Sequence, residues 1–435
     1  MRELLIICAH FPPSAASGAF RMLGFARHLP SFGWATNVVA CTQMPHEPVD
    51  DSLQENLRIT GEVHRVDYPQ GRWARIKRRL LARTRILDVH STWCDAALGT
   101  CRQLIASRRP DAILTSGPPH SVHLLGRRLK REFGVPLVTD FRDPWVASRR
   151  ALRGVDRVRR RIEHAVLRAS DRIVANAPQA RGLIESEYPD CGAKIDVVPN
   201  GFDSVPAVVP HHCPAPSTAA EINILHAGEL YAGRDPGPLL DAIAGAEKQA
   251  SNLGGWRLRF LGRTDGCGLD LVAESRRRML RCQVLLEGQV AYATAKRDMA
   301  QADILLLLDG PGRRVGVPAK VYEYMGAGRP ILALAEPDGD TAWALQSSGV
   351  THRLARPKDV PAIQQALVEL THELRSGNLD RKPSACGQFT REETARKLSS
   401  VLELAVLNAR PCVRPLASDL AGATACNNVL MRGKS

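Results

Sequence analysis

Pro318-Ala-Lys-Val-Tyr-Glu-Tyr-Met-Gly-Ala-Gly-Arg-Pro-Ile-Leu-Ala-Leu-Ala335 is the stretch from which the rest of this chain can be read. Pro318 suits the first turn of a helix, and Lys320, Glu323 and Tyr324 then share one face at i, i+3 and i+4. Gly326 and Gly328 are expected to end the helix, and Pro330 prevents its continuation. Ile331 to Ala335 reads as a buried parallel strand. Just upstream, the apolar strand Asp303-Ile-Leu-Leu-Leu-Leu308 runs into the glycine-rich loop Asp309-Gly-Pro-Gly-Arg-Arg-Val-Gly316. The unit is strand, loop, helix, strand. A helix that starts after such a loop offers free N–H groups and a positive dipole end to an anion, and Lys320 adds a full charge. Glu323, one turn on, is placed near the same mouth, where a carboxylate can accept hydrogen bonds from sugar hydroxyls.

The same rhythm runs outward in both directions. Leu4 to Cys8 reads as a central strand, followed by a loop ending in Ser17-Gly18, a helix from about Ala19 to Leu29, and a second strand over Thr36 to Thr42. This is the first half of a doubly wound domain, without the G-x-G-x-x-G of dinucleotide cofactors. Asp111 to Thr115 is the next strand and opens into Ser116-Gly-Pro-Pro-His-Ser121. A further strand opens into Asp140-Phe-Arg-Asp-Pro-Trp145. In a parallel sheet both loops lie at the carboxyl edge, so His120, Asp140, Arg142, Asp143 and Trp145 are expected to share one cleft. An arginine-rich helix over Ser148 to Ser170, with Leu152, Val155, Val158, Ile162 and Val166 as a packing stripe, leads to Ile195-Asp-Val-Val-Pro-Asn-Gly-Phe-Asp203. Residues 204–220 read as a linker. Strands then recur at Glu221 to Ala227, Arg257 to Leu261, Val284 to Glu287, Ile304 to Leu308 and Ile331 to Ala335. Thr390-Arg-Glu-Glu393 is a capping box that starts a helix to about Leu407.

These segments give an α/β chain of two doubly wound, Rossmann-like domains facing a cleft. The expected bounds are 1–203 for the first domain and 221–388 for the second. Residues 389–409 form a terminal helix that crosses back to the first domain, and 410–435 a disordered tail. The 435-residue length is too great for one core.

Hydrophobic residues make up 44% and charged residues 24%, which excludes a disordered chain. The eleven cysteines form no C-x-x-C pair and no zinc spacing, which points to a reducing compartment. Met1 to His10 has too short an apolar run for a signal peptide, and no run approaches the ~20 residues of a membrane span. The net charge is +14, yet aromatic residues are only 5% and no nucleic-acid-binding signature is present. The expectation is a cytoplasmic protein without a nucleic-acid partner. Arg72 to Arg85 holds seven Lys/Arg and no acid, with Trp73, Ile76, Leu80 and Leu87 on one helical face. Two readings stand for it: peripheral docking on an anionic membrane at its inner face, or a solvated basic face whose apolar stripe packs on the domain.

Lys320-Val-Tyr-Glu-Tyr-Met-Gly-Ala-Gly-Arg-Pro-Ile-Leu332 resembles the donor-nucleotide segment of retaining glycosyltransferases of family 4, which have the two-domain GT-B fold. The resemblance implies that Glu323 binds the ribose of a nucleotide-diphosphate sugar. A second Glu is common eight residues earlier in that family; here the place is taken by Val315. Ser116-Gly-Pro-Pro-His120 and Asp140-Phe-Arg-Asp-Pro-Trp145 look like segments of the same branch, which implies a role for His120 near the reacting sugar. Ile195 to Asp203 resembles the entry into the second domain. By the same resemblance Ser17 and Gly18 approach the diphosphate, as do Gly228 and Arg234, the latter in place of the usual Lys. The implied activity is transfer of a sugar from a nucleotide-diphosphate sugar to a sugar or lipid-linked sugar acceptor, with His120, Lys320 and Arg234 assisting. No cofactor is expected, and no metal. Asp338-Gly-Asp340 imitates a metal-binding Asp-x-Asp but is read as a cap on the helix that follows. Alternatives are an epimerase or phosphorylase of the same fold, or a non-catalytic module for anionic lipid or nucleic acid.

Overall fold

A computed structural model describes residues 1–45, 47, 49–51, 53, 57, 61–145, 154–203, 221–231, 233–249, 255–377 and 383–409. The proposed linker and tail lie outside the described residues. The chain builds two parallel sheets. The first holds β1 Arg2–Cys8, β2 Trp34–Cys41, β3 Val63–Val66, β4 Ala112–Gly117, β5 Leu137–Phe141, β6 Arg172–Ala175 and β7 Ile195–Val197, in the order 3-2-1-4-5-6-7. The second holds β8 Ile222–Ala227, β9 Trp256–Leu261, β10 Gln283–Gly288, β11 Ile304–Leu308, β12 Ile331–Leu334 and β13 His352–Ala355, in the order 10-9-8-11-12-13. The central strands are apolar throughout because helices cover both faces: every residue of β11 is buried.

Strand order reverses between β1 and β4 in one sheet and between β8 and β11 in the other. Loops leaving such neighbours diverge and open a crevice at the carboxyl edge, where open α/β sheets take ligands. An apolar cluster joins the two halves, with Phe141 and Ile173 of the first packing in one group with Tyr322, Val321 and Phe389 of the second. The Thr390 side chain accepts from Glu393 N at 3.2 Å, as a capping box requires, and starts the Arg391–Asn408 helix. That helix returns to the first sheet, burying Ala395, Leu398, Val401 and Leu402 against Leu4, Ile6 and Leu114. At the crossing the Phe202 N–H donates to the Phe389 carbonyl at 3.0 Å, and the Phe202 carbonyl accepts from Arg391 N at 2.9 Å.

Several local expectations need correction. Gly326 does not end its helix; the helix runs through it to Ala327, with the Phe202 ring against the bare Cα, and Gly328 (φ 64°) closes it. Val155 and Val158 of the arginine-rich helix are 37% and 40% exposed, so they are not part of a packing stripe, whereas Val166 is buried; residues 148–153 of that segment lie outside the described residues. Leu87 is not on the basic helix, which spans Arg72–Thr84. Two short strands, β3 and β13, and the Ser91–Arg108 helix were not anticipated. Their burial patterns are mixed, which blurs the periodicity on which a sequence reading depends.

Candidate active site

The two crevices face each other across a cavity of about 320 Å³, lined by Ser17, Arg142, Asp143, Asn176 and Asn200 from the first half and by Tyr231, Arg234, Arg313 and residues 317–320 from the second. Four cations and one carboxylate, Asp143, line it among the described residues. The Ala319–Ala327 helix starts at this wall. Its N-cap, Pro318, supplies no side-chain cap; the Val321 N–H is taken by the Pro318 carbonyl at 3.0 Å, and Ala319 and Lys320 line the cavity.

Lys320 is buried, and its Nζ lies 3.1 Å from His226 Nε2. His226 is fully buried in β8, and its Nδ1 lies 2.9 Å from the Leu306 carbonyl. A carbonyl can only accept, so Nδ1 carries the hydrogen and Nε2 is left to accept from the Lys320 ammonium. Burial first, and Lys320 second, hold His226 well below the usual imidazole range, which keeps it in that neutral form. Burial, aided by Arg234, pulls Lys320 down to about 7; Glu323, Asp309 and Glu229 pull the other way. Gly228 (φ 127°) makes this approach possible, since a Cβ there would stand 2.6 Å from Nζ.

Arg234 stacks its guanidinium 4.1 Å from the Tyr231 ring centre and donates Nη1 to the Glu229 carbonyl at 3.3 Å. Its buried Nε has no hydrogen-bond partner. Arg313 is braced by Asp309 at 3.0 Å, and Asp309 in turn accepts from Thr341 at 2.8 Å. From the opposite side, Arg142 donates to the carbonyls of Gly117 and Pro118, and its guanidinium occupies the space a Cβ at Gly18 would need. Ser17 and Gly18 open the Ser17–His28 helix beside it.

The expected acceptor-side group is divided. Arg142 and Asp143 line the cationic cavity, whereas His120 and Trp145 line a second one of about 370 Å³ with His10, Asp88, His90 and Arg159. The His120 ring stacks on Trp145, centres 5.1 Å apart at 12°. Its Nδ1 is buried without a partner, and burial with His123 and Arg142 nearby keeps the ring well below its usual pKa. Residues 141–145 run between the two cavities. Asp140 reaches neither: it is fully buried, holds Arg21 by two bonds of 2.8 and 3.0 Å, and accepts from Ser116 at 2.8 Å. The strand's alternation turns it into the sheet while Arg142, beyond the strand end, turns out. Arg21 also binds the Val198 and Pro199 carbonyls and Asn200 Oδ1, so the pair braces a cleft-lining segment.

Glu323 lies one turn beyond Lys320, outside the cationic cavity. It accepts from Tyr292 and sits near Arg391, and burial raises its pKa. The Tyr292 ring meets Phe20 of the first half, centres 5.1 Å apart. Val315, where a carboxylate is common in the resembling family, packs partly buried against the apolar cluster that joins the two halves. Asp340 does cap a helix, but not its own, whose N-cap is Gly339 without a side-chain bond. Its buried carboxylate accepts from Gln179 N at 2.8 Å, in the first turn of Pro178–Glu187 of the opposite half, and from Gly316 N at 2.7 Å. Among the described residues the one His/Cys/carboxylate group with metal spacing is His164, Asp190 and Cys191, none of which lines either cavity.

His226, Tyr231, Tyr292, Arg313, Asn176 and Asn200 were missed. A histidine inside the apolar strand Ile222-Asn-Ile-Leu-His-Ala227 was a usable signal, since a buried imidazole needs partners.

Residues 18–201 match the family described as the glycosyl transferase 4-like domain. The sequence finds no match among curated proteins. The structure is similar over 93% of this chain and 97% of the other to Alr3699/HepE from Anabaena in complex with UDP and glucose, at 16% identity and a TM-score of 0.55. It is similar to a glycosyltransferase from Rickettsia africae ESF-5 over 94% and 99% of the two chains, at 11% identity and a TM-score of 0.62. It is also similar to WaaG, a glycosyltransferase involved in lipopolysaccharide biosynthesis, over 94% and 100%, at 13% identity and a TM-score of 0.54. Residues 18–201 are thus similar to a glycosyl transferase 4-like domain, and the chain is built on the two-domain GT-B fold.

Proposed function

We propose that this protein transfers a glycosyl group from a nucleotide-diphosphate sugar to a sugar or lipid-linked acceptor in cell-surface polysaccharide or glycolipid assembly, with retention and without a metal ion. The observation that carries the reading is the cationic cavity at the start of the Ala319–Ala327 helix. Lys320, Arg234 with its unpartnered Nε, and the first turn of the helix, which has no side-chain cap, meet at one small volume. A diphosphate is the ligand chemistry that such a site favours, and a leaving diphosphate gains charge as the C1–O bond breaks.

The acceptor oxygen then bonds to C1 on the face the diphosphate leaves, and its proton passes to the departing phosphate oxygen. Glu323, one turn away beside Tyr292, suits the ribose hydroxyls. The neutral His120 ring, stacked on Trp145 in the adjacent cavity, suits the acceptor or the transferred sugar. Two adjoining cavities favour transfer between two substrates over epimerisation of one.

A thermal-shift panel of UDP-, GDP-, ADP- and dTDP-sugars tests the donor, since a ligand at 100 times its Kd adds about 2.7 kcal/mol. Product anomer configuration by NMR and turnover in excess chelator test the other two claims. No shift with any nucleotide sugar overturns the reading.

A further inference from the structure

The Arg72–Thr84 helix buries none of its residues. Trp73, Ile76 and Leu80 are 81%, 45% and 60% exposed, so the apolar stripe does not pack on the domain. The domain is gripped instead from another side of the helix: Lys77 bonds Asp95, and Arg78 bonds the Pro69 carbonyl and covers the Tyr68 ring. Arg72, Arg79 and Arg83 each stand three or four residues from a stripe residue and have no ion-pair partner among the described residues. A large indole and two aliphatic side chains facing water, flanked by unpaired guanidinium groups, match the interfacial zone of an anionic bilayer.

We propose that this helix is a docking surface for an anionic lipid membrane. Charge selects this occupant over the others. A second copy of a +14 chain would be repelled. The chain's two longest segments outside the described residues do not complement the patch either. Residues 204–220 contain no Asp or Glu, and 410–435 carry Arg410, Arg414, Arg432 and Lys434 against Asp419 alone. Lipid headgroups supply the negative charge and acyl chains the apolar layer in one partner.

The helix also stands beside the His120 cavity. Arg78 covers Tyr68, whose hydroxyl lies 3.2 Å from His90 Nδ1, and His90, Asp88 and Leu87 line that cavity. The docked membrane thus lies next to the acceptor side, and the acceptor is an amphiphile presented from it. This consequence rests on the glycosyl-transfer reading; the docking itself does not.

Full-length protein, without nucleotide sugar, is titrated with vesicles of phosphatidylcholine alone or with 30% phosphatidylglycerol. Co-sedimentation and Trp fluorescence are followed. Binding is expected only with the anionic lipid, with a blue shift, and is released by salt. Arg72→Glu/Arg79→Glu/Arg83→Glu and, separately, Trp73→Ser/Leu80→Ser should each lower partitioning at least tenfold, with unchanged melting temperature. All five positions are exposed, so both variants are expected to fold, and equal melting curves verify it. Absence of binding at low salt, or unchanged partitioning of both variants, overturns the proposal. Binding of the parent to polyglutamate but not to vesicles also overturns it, in favour of an acidic protein partner. Failure of every nucleotide sugar with vesicle binding intact would remove the transfer reading alone.

Discussion

Donor affinity should fall steeply as the pH rises above 7, because Lys320 must gain a proton to meet a diphosphate. In the empty site burial holds its pKa at about 7, against an ordinary 10.5. At pH 6.5 the ammonium is then about 76% populated, and at pH 8.5 about 3%. A bound diphosphate favours the charged form, so the complex holds more protons than the free protein throughout this window. Binding should weaken by about 25-fold between those two pH values, approaching a tenfold loss per unit. A terminal phosphate ionises near pH ~6; its change would strengthen binding with rising pH, opposite in sign. The same shift makes Lys320 lower the stability of the empty protein as the pH falls from 10.5 towards about 7, where the unfolded chain takes up the proton and the folded one does not. The assay is calorimetric titration of the nucleoside diphosphate at pH 6.5, 7.5 and 8.5 in buffers of different ionisation enthalpy, which reads proton uptake directly. Lys320→Met should weaken binding at pH 6.5 by about 1.5–3 kcal/mol and flatten the profile. A flat profile in the parent, or the same slope in Lys320→Met, refutes the argument.

Four further outcomes follow from the site. His226→Leu should lower the melting temperature, by removing a buried bond to the Leu306 carbonyl and leaving it only the Tyr324 hydroxyl at 3.1 Å as side-chain donor, and weaken diphosphate binding several-fold, about 1 kcal/mol. His120→Ala should cut turnover by about tenfold or more with an unchanged melting temperature. As its pKa lies well below 6.5, the parent's turnover should show no His120 titration between pH 6.5 and 8. Glu323→Gln should weaken a nucleoside diphosphate but not inorganic pyrophosphate, whereas Lys320→Met should weaken both; equal losses in Glu323→Gln would take it off the ribose. Asp340→Asn should destabilise the protein by about 1–3 kcal/mol in urea unfolding, because an amide NH₂ would then face the Gln179 or Gly316 N–H.

The fold was legible where burial is uniform. β11 and β12 are continuous apolar runs ended by glycine and proline, and that pattern survives without knowledge of what lies on either side. Positions whose role is decided by a partner distant in sequence were not legible. Asp340 looks like a local cap because its own helix follows immediately, yet its partner Gln179 is 161 residues away. Asp140 shares a loop phrase with Arg142, yet its orientation is set by Arg21, 119 residues earlier. The basic helix was ambiguous for the same reason. A stripe such as Trp73, Ile76 and Leu80 has one sequence pattern whether it packs on a core or not, and only its exposure, 81% at Trp73, shows that it does not.

What joins these observations is that neither half of the molecule holds the cationic site alone. Arg142, Asn176 and Asn200 come from the first half, Arg234, Arg313 and Lys320 from the second. The site's geometry therefore depends on how the halves are held. Asp340 grips a first-half helix and the Gly316 loop at once, and Asp203 accepts Arg391 at 2.6 Å where the terminal helix crosses back. The Phe20–Tyr292 contact closes the side nearest Glu323. Opposed to these clasps is the mutual repulsion of four cations lining one cavity. On the glycosyl-transfer reading, a diphosphate bound between them would offset that repulsion.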